Sequence, residues 1–303
     1  MLARLTGLIG LVLAVMLLAG GFVAARLYYN AGGAAVDVVA LRYGVSAVLL
    51  LPFVVWHRRR LWQVPGWRGA LLLALLGGAP FGVFVLTGVA SAPVTHGAGV
   101  VPGVALVFGT LLSVRLLGEP LGRWRFAGLA GALGGLALLI LPDLQRGDAT
   151  WWGEVSYVVA GLFWGGFTVM LRRLQVPALD GAALAAVLSL PYLPLYVFAL
   201  SPQLPAVAWS DTLGQAVYQG VIFNIFAVAL YAWGIRRLGA TAAVAAMPLM
   251  PACGALMDWL LFDRAPHPLA LPAIAAIAGC VALVALLPGR RPDGASSKGD
   301  ALP

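Results

Sequence analysis

Charge is scarce in this chain. Asp, Glu, Lys and Arg make up 10% of its 303 residues, against about 25% in an ordinary soluble domain. So few ionisable groups cannot cover a water-facing surface for a chain of this length, which excludes a soluble protein. Lysine is almost missing: of 19 basic residues only Lys298 is not arginine. The arginines stand in short clusters between apolar runs. A net charge of +8 in that pattern fits loops at a membrane surface and argues against a nucleic-acid partner. Two cysteines occur, Cys253 and Cys280, both within apolar runs. They lack metal-ligand or redox spacing and read as small packing residues. No Walker-type phosphate loop is present, which argues against ATP drive within this chain. No cofactor, metal site or catalytic residue is expected, and the chain does not read as an enzyme.

What is abundant is apolar sequence: 62% hydrophobic residues and a mean hydropathy of +0.96. A membrane-spanning helix needs about 20 mostly apolar residues. Ten runs meet that rule, at 5–25, 36–56, 67–90, 92–114, 124–141, 151–171, 182–200, 213–234, 240–261 and 268–287. A charged start at Arg4 and small residues at 19–25 also fit a cleaved signal segment, but a repeat described next draws this run into the body of the protein.

The sequence is organised around residues 91–117, which carry Pro102-Gly103 near their middle and end in the corner Gly118-Glu119-Pro120. A related stretch at 239–262 has Pro248 and Pro251 near its middle and the corner Asp263-Arg264-Ala265-Pro266. An offset of 145 joins Glu119 to Arg264, Gly134 to Gly279, and Gly20-Gly21-Phe22 to Gly165-Gly166-Phe167. The expected fold is therefore an all-α integral membrane protein with ten transmembrane helices in two five-helix repeats. Residues 1–141 form the first, 142–150 a connecting loop, 151–287 the second, and 288–303 a disordered polar tail. Five spans per half is odd, so the second repeat enters from the opposite side and is inverted. With the N-terminus inside, 15 of the 19 basic residues face the cytoplasm, leaving Arg26, Arg42, Arg146 and Arg264 outside. That bias places both termini in the cytoplasm and the protein in the inner (plasma) membrane.

Residues 91–141 resemble the motif of the drug/metabolite transporter superfamily, EamA-like branch. The resemblance rests on His96-Gly97, Pro102-Gly103, Leu111-Leu112, Leu116-Leu117-Gly118-Glu119 and the glycines from Gly128 to Gly135. In the second half it rests on Tyr218-Gln219-Gly220, Arg236-Arg237-Leu238-Gly239, Pro248 to Pro251, and Gly279; Leu41-Arg42-Tyr43 resembles the arginine that opens the family's second span. The resemblance implies ten helices in two inverted halves that carry small solutes, often outward. Two departures stand out: Leu106 occupies a place where the motif often has proline, and Arg264 or Asp263 replaces the second corner glutamate.

Within the apolar runs, a few polar residues call for partners. Asn224 sits mid-span, where a lone amide must bond a neighbouring helix or line a cavity. Tyr218 and Gln219 lie about a turn away on the same helix. Pro102, Gly103 and Pro248 would shape a substrate site between the third, fourth, eighth and ninth runs. Asp258 would titrate, pair with Arg42 or His96, or reach water at its span end. Arg42 would snorkel or attract an anion, and His96 would be a structural histidine or a proton relay. Glu119, beside Arg115, Arg123 and Arg125, would clamp a corner or gate. Asp258, Arg42, His96 and Glu119 are thus the coupling or gating candidates. The expected partners are a small solute, neutral or zwitterionic and partly apolar, and membrane lipids; whether the protein works alone or as a homodimer is open. The rival functions are a membrane enzyme or flippase acting on a lipid-linked substrate, and a non-transporting scaffold.

Overall fold

The structure, a computed structural model, describes residues 2–200, 202–239 and 246–286. These are helical throughout, with no strand among the described residues. The helices are α1 (Leu2–Asn30), α2 (Ala35–Trp56), the short α3 (Arg58–Gln63), α4 (Gly66–Gly77), α5 (Ala79–Ser91), α6 (Val94–Leu117), α7 (Arg123–Arg146), α8 (Trp151–Arg173), α9 (Ala178–Val187) and α10 (Tyr192–Ala199). They continue with α11 (Trp209–Gln215), a π-helical segment Ala216–Ala227, α12 (Val228–Leu238), α13 (Leu249–Phe262) and α14 (Ala270–Leu286).

Among the described residues, eight stretches are long and apolar enough to cross a membrane, with α4–α5, α9–α10 and α11–α12 each counting as one. Two shorter apolar helices, Leu249–Phe262 and Ala270–Val281, stand where the ninth and tenth spans are expected. The start of the ninth run at Ala240, the end of the tenth and the tail 288–303 lie outside the described residues. Exposed tryptophans mark both ends of the bundle. Trp56, Trp62, Trp67 and Trp124 lie at the end that holds the chain's N-terminus; Trp151, Trp152, Trp209 and Trp259 lie at the far end. Such belts suit the two headgroup layers of a bilayer.

The breaks in the helices differ from expectation. Pro102 lies inside an uninterrupted α6, because one missing backbone donor is not enough to end a helix held on both sides by packing. The third span breaks instead at Gly78, where two glycines precede Pro80, and the seventh breaks at 188–191, a turn that ends on Pro191. The two breaks meet: the Ser189 hydroxyl accepts from Ala79 N–H at 2.8 Å and donates to Ala185 O at 2.6 Å. Pro248 does stand at a break, as the N-cap of α13.

The repeat is visible in the helix ends. α6 ends at Leu117 and α13 at Phe262, and each closes on a left-handed residue, Gly118 at φ 69° and Asp263 at φ 52°. The caps bond back to Ser113 O and Asp258 O. All three pairs keep the offset read from the sequence. Packing follows the same rule. α1 packs mainly on α12 and α13, and its counterpart α8 packs mainly on α5 and α6. α2 pairs with α9, and α7 with α14. The first helix of each half is therefore lodged against the third and fourth spans of the other half. Glycines permit this: a Cβ on Gly21 would strike the Phe223 ring, and one on Gly165 would lie 2.8 Å from Ala105 O.

Candidate functional site

A buried polar cluster joins the halves at mid-depth. Arg42, 2% exposed, projects from the second turn of α2. Its Nε and Nη2 donate to one oxygen, Oε1 of Gln219, at 3.0 and 2.5 Å. Gln219 is fully buried and donates from Nε2 to Gly21 O at 2.7 Å. The Phe223 ring centroid lies 4.3 Å from the guanidinium carbon. One turn along α2, Ser46 accepts from Asn224 Nδ2 at 2.8 Å, and its hydroxyl lies within bonding distance of Arg42 O and Gly220 O. The π-helical winding explains the grouping. Its hydrogen bonds run from i to i+5, so Gln219, Phe223 and Asn224 present one face to α2. Tyr218 is turned aside, and its hydroxyl donates to Leu17 O at 3.2 Å.

A second cluster lies at the far end. His96, 1% exposed, occupies the first turn of α6. Its Nδ1 lies 2.5 Å from Glu154 Oε1 on α8 and its Nε2 lies 3.0 Å from Asp143 Oδ2 on α7. Both ring nitrogens thus face carboxylate oxygens. With both acids ionised the ring must carry two protons and a positive charge; a neutral ring requires one acid to keep its proton. Next to it, Asp258 Oδ2 accepts from the Thr95 N–H at 2.8 Å and the Thr95 hydroxyl at 2.7 Å. Arg26 donates to Ala92 O, and Thr150 donates from Oγ1 to Ser91 O at 3.0 Å. A cavity of about 530 Å³ opens here, lined by Arg26 and Asn30 of α1 and by Asp258 to Arg264.

At the opposite end the ties run through two exposed arginines, Arg60 and Arg172. Glu119 pairs with Arg172, and with Arg125 at 3.8 Å; Arg60 pairs with Asp180 at 2.8 Å.

The expected residues thus fall into three groups. Arg42, Gln219 and Asn224 come together, His96 and Asp258 are neighbours at the far end, and Glu119 lies at the N-terminal end. Several expectations are corrected. Asp258 pairs with neither Arg42 nor His96, because the free N–H groups of the first turn of α6 claim its carboxylate. Arg42 does not snorkel. Glu119 finds its nearest cation on α8 rather than among its sequence neighbours. Gly103 faces α7, where a Cβ would lie 3.0 Å from Leu136, so it is not beside Asn224. Sequence reasoning missed Ser46, Phe223, Thr95, Asp143, Glu154 and Arg172. Glu154 left a usable signal: it is an acid four residues into a span whose start must lie beside the start of α6.

The sequence pattern of the EamA-like transporter family matches residues 5–141 and again 151–286. The chain belongs to the EamA-like transporter family. Among its relatives is Uncharacterized protein PA1977 of Pseudomonas aeruginosa, 32% identical over 268 residues, covering 82% of this chain and 84% of that one. A crystal structure aligns over 97% of this chain and 98% of its own with a TM-score of 0.59 at 22% identity, a likeness of fold. As an EamA-like protein, the chain has a transporter-like role in a membrane that it crosses several times. In an EamA-like frame the Arg42 cluster is a contact between the two family units, since Arg42 and Ser46 come from the first and Gln219, Phe223 and Asn224 from the second.

Proposed function

We propose that the protein is a secondary transporter of the inner (plasma) membrane that moves a small metabolite or drug-like solute outward by alternating access. Ten spans form two inverted five-helix repeats with both termini in the cytoplasm. The observation that carries this reading is the exchanged packing of α1 and α8. It yields two similar bundles, one of α5, α6 and α8 and one of α1, α12 and α13. Two like units facing each other around a buried polar cluster can rock so that one end opens as the other closes. The ends are unequally tied. Far-end ties run through buried His96, Glu154 and Asp258, whereas the N-terminal end is held by ion pairs with exposed arginines. That inequality fits a state closed at the far end. Asn224, Gln219, Pro102 and Pro248 shape the solute path; His96, Asp258, Arg42 and Glu119 gate it or couple it to protons.

The test is counterflow in proteoliposomes, with labelled amino acids, short carboxylic acids and lipophilic cations as probes, with and without a pH gradient. Saturable counterflow that requires the internal solute supports the reading. Passive leak alone for the whole panel, with headgroup turnover or lipid scrambling instead, replaces it with the lipid-directed alternative.

A further inference from the structure

The Arg42 guanidinium carries five N–H donors. Two of them share the single Oε1 of Gln219, and Nη1 is buried without a hydrogen-bond partner. Among the described residues no carboxylate lies within 4.0 Å of it, and the ion pairs found there belong to Arg60, His96, Arg125 and Arg172. The buried acids among the described residues are already engaged, Asp180 by Arg60 at 2.8 Å. Asp37 accepts from Ala34 N at 2.9 Å, Tyr196 Oη at 2.6 Å and Gln203 N at 3.1 Å. Asp258 is taken by Thr95, and Glu154 by His96. A buried cation is strongly disfavoured unless an opposite charge or full hydrogen bonding compensates it. Here one amide oxygen and one aromatic face do so in part, with the neutral Tyr43 hydroxyl close by.

From this geometry we infer that Arg42 is the anchor for a carboxylate on the transported solute, held between Arg42 of the first half and Gln219, Phe223 and Asn224 of the second. This rests on the transporter reading and names the substrate class of that site. A carboxylate presents two oxygens to the guanidinium fork and matches it bidentately. It neutralises one positive charge with one negative charge; a phosphate dianion would leave excess charge beside a lone arginine. Phe223 gives an apolar wall for the rest of the solute, and the Asn224 and Gln219 amides give neutral polar contacts. The occupant is therefore a monocarboxylate or a zwitterion rather than a neutral solute. Because its partners come from both halves, the anion enters when α2 and the π-helical segment part, and its binding draws them together.

The test is thermal unfolding of the full-length protein in detergent with matched probes: hexanoate and hexanamide, benzoate and benzamide, N-acetyl-leucine and N-acetyl-leucinamide. The expected result is a rise in melting temperature with one or more carboxylates and none with the paired amide. Arg42→Gln removes the rise. Gln219→Glu places a carboxylate against Nε and Nη2, so it raises the melting temperature of the free protein and also abolishes the response; this variant covers the case in which Arg42→Gln does not fold. Equal shifts with acid and amide, no shift with any carboxylate, or a full response in Gln219→Glu would overturn the inference. Counterflow separates it from the parent reading. Movement of neutral or cationic probes without any carboxylate response leaves the transporter standing and removes the carboxylate site. Carboxylate binding without counterflow does the reverse.

Discussion

Replacing His96 should be among the most destabilising single changes in the bundle. The ring is 1% exposed and stands between Glu154, 2.5 Å from Nδ1, and Asp143, 3.0 Å from Nε2. Glu154 is itself 4% exposed, and its second oxygen has no hydrogen-bond partner. His96→Ala leaves that carboxylate with no donor on either oxygen among the described residues. Breaking a buried ion pair by removing one partner costs about 3–5 kcal/mol. Asp143 is partly exposed and recovers some of its loss through water, so the lower part of that range is expected. The assay is equilibrium unfolding in mixed detergent micelles, run as a double-mutant cycle. Glu154→Gln keeps the shape and removes the charge, so His96→Ala should cost much less in that background, with an interaction energy of about 0.5–3 kcal/mol. A loss within about 0.5 kcal/mol for His96→Ala alone, the range of ordinary surface changes, would refute the reasoning. So would additive costs in the cycle.

The other expectations follow the same logic at smaller scale. Glu119→Gln removes ion pairs to exposed Arg172 and half-buried Arg125 and should cost no more than about 1 kcal/mol, an effect that fades with added salt in the same unfolding assay. Ser189→Ala strands the Ala79 N–H at the break between α4 and α5 and should cost about 1–3 kcal/mol. Gly21→Leu would drive a side chain into the Phe223 ring and should destabilise by about 1–3 kcal/mol, with loss of the carboxylate response. Asp263→Gly relieves a left-handed residue at φ 52° and should leave stability unchanged or raise it by up to about 1 kcal/mol.

The spans were legible because each is a run of apolar residues, a local property. The repeat was legible because the offset that joins Glu119 to Arg264 also joins Gly118 to Asp263, residues that close α6 and α13 with the same backbone turn. The helix breaks were less so. A proline inside a span does not say whether packing will hold the helix together, and Pro102 and Pro191 differ in just that respect. Of the site, Arg42, Gln219 and Asn224 stood out as polar residues in hydrocarbon, but their joining did not. It depends on π-helical winding over 216–227, which shifts the face that Gln219 and Asn224 share, and on α1 yielding room at Gly20 and Gly21. The partners of His96 were hidden for a different reason. Asp143 and Glu154 lie near span ends, where an acid ordinarily reaches water, and only the packing of α6 on α8 and α7 turns both inward.

Alternating access is the central claim, and distances between spin labels test it most directly. One pair would sit at Asp148 and Arg264 across the far end, the other at Arg173 and Arg236 across the N-terminal end, in a cysteine-free background in lipid nanodiscs. The account expects two populations at each end. The longer far-end distance should accompany the shorter N-terminal one, and the hexanoate, benzoate and N-acetyl-leucine probes should shift the balance. A single narrow distance at each end, unmoved by any of them, would contradict the account.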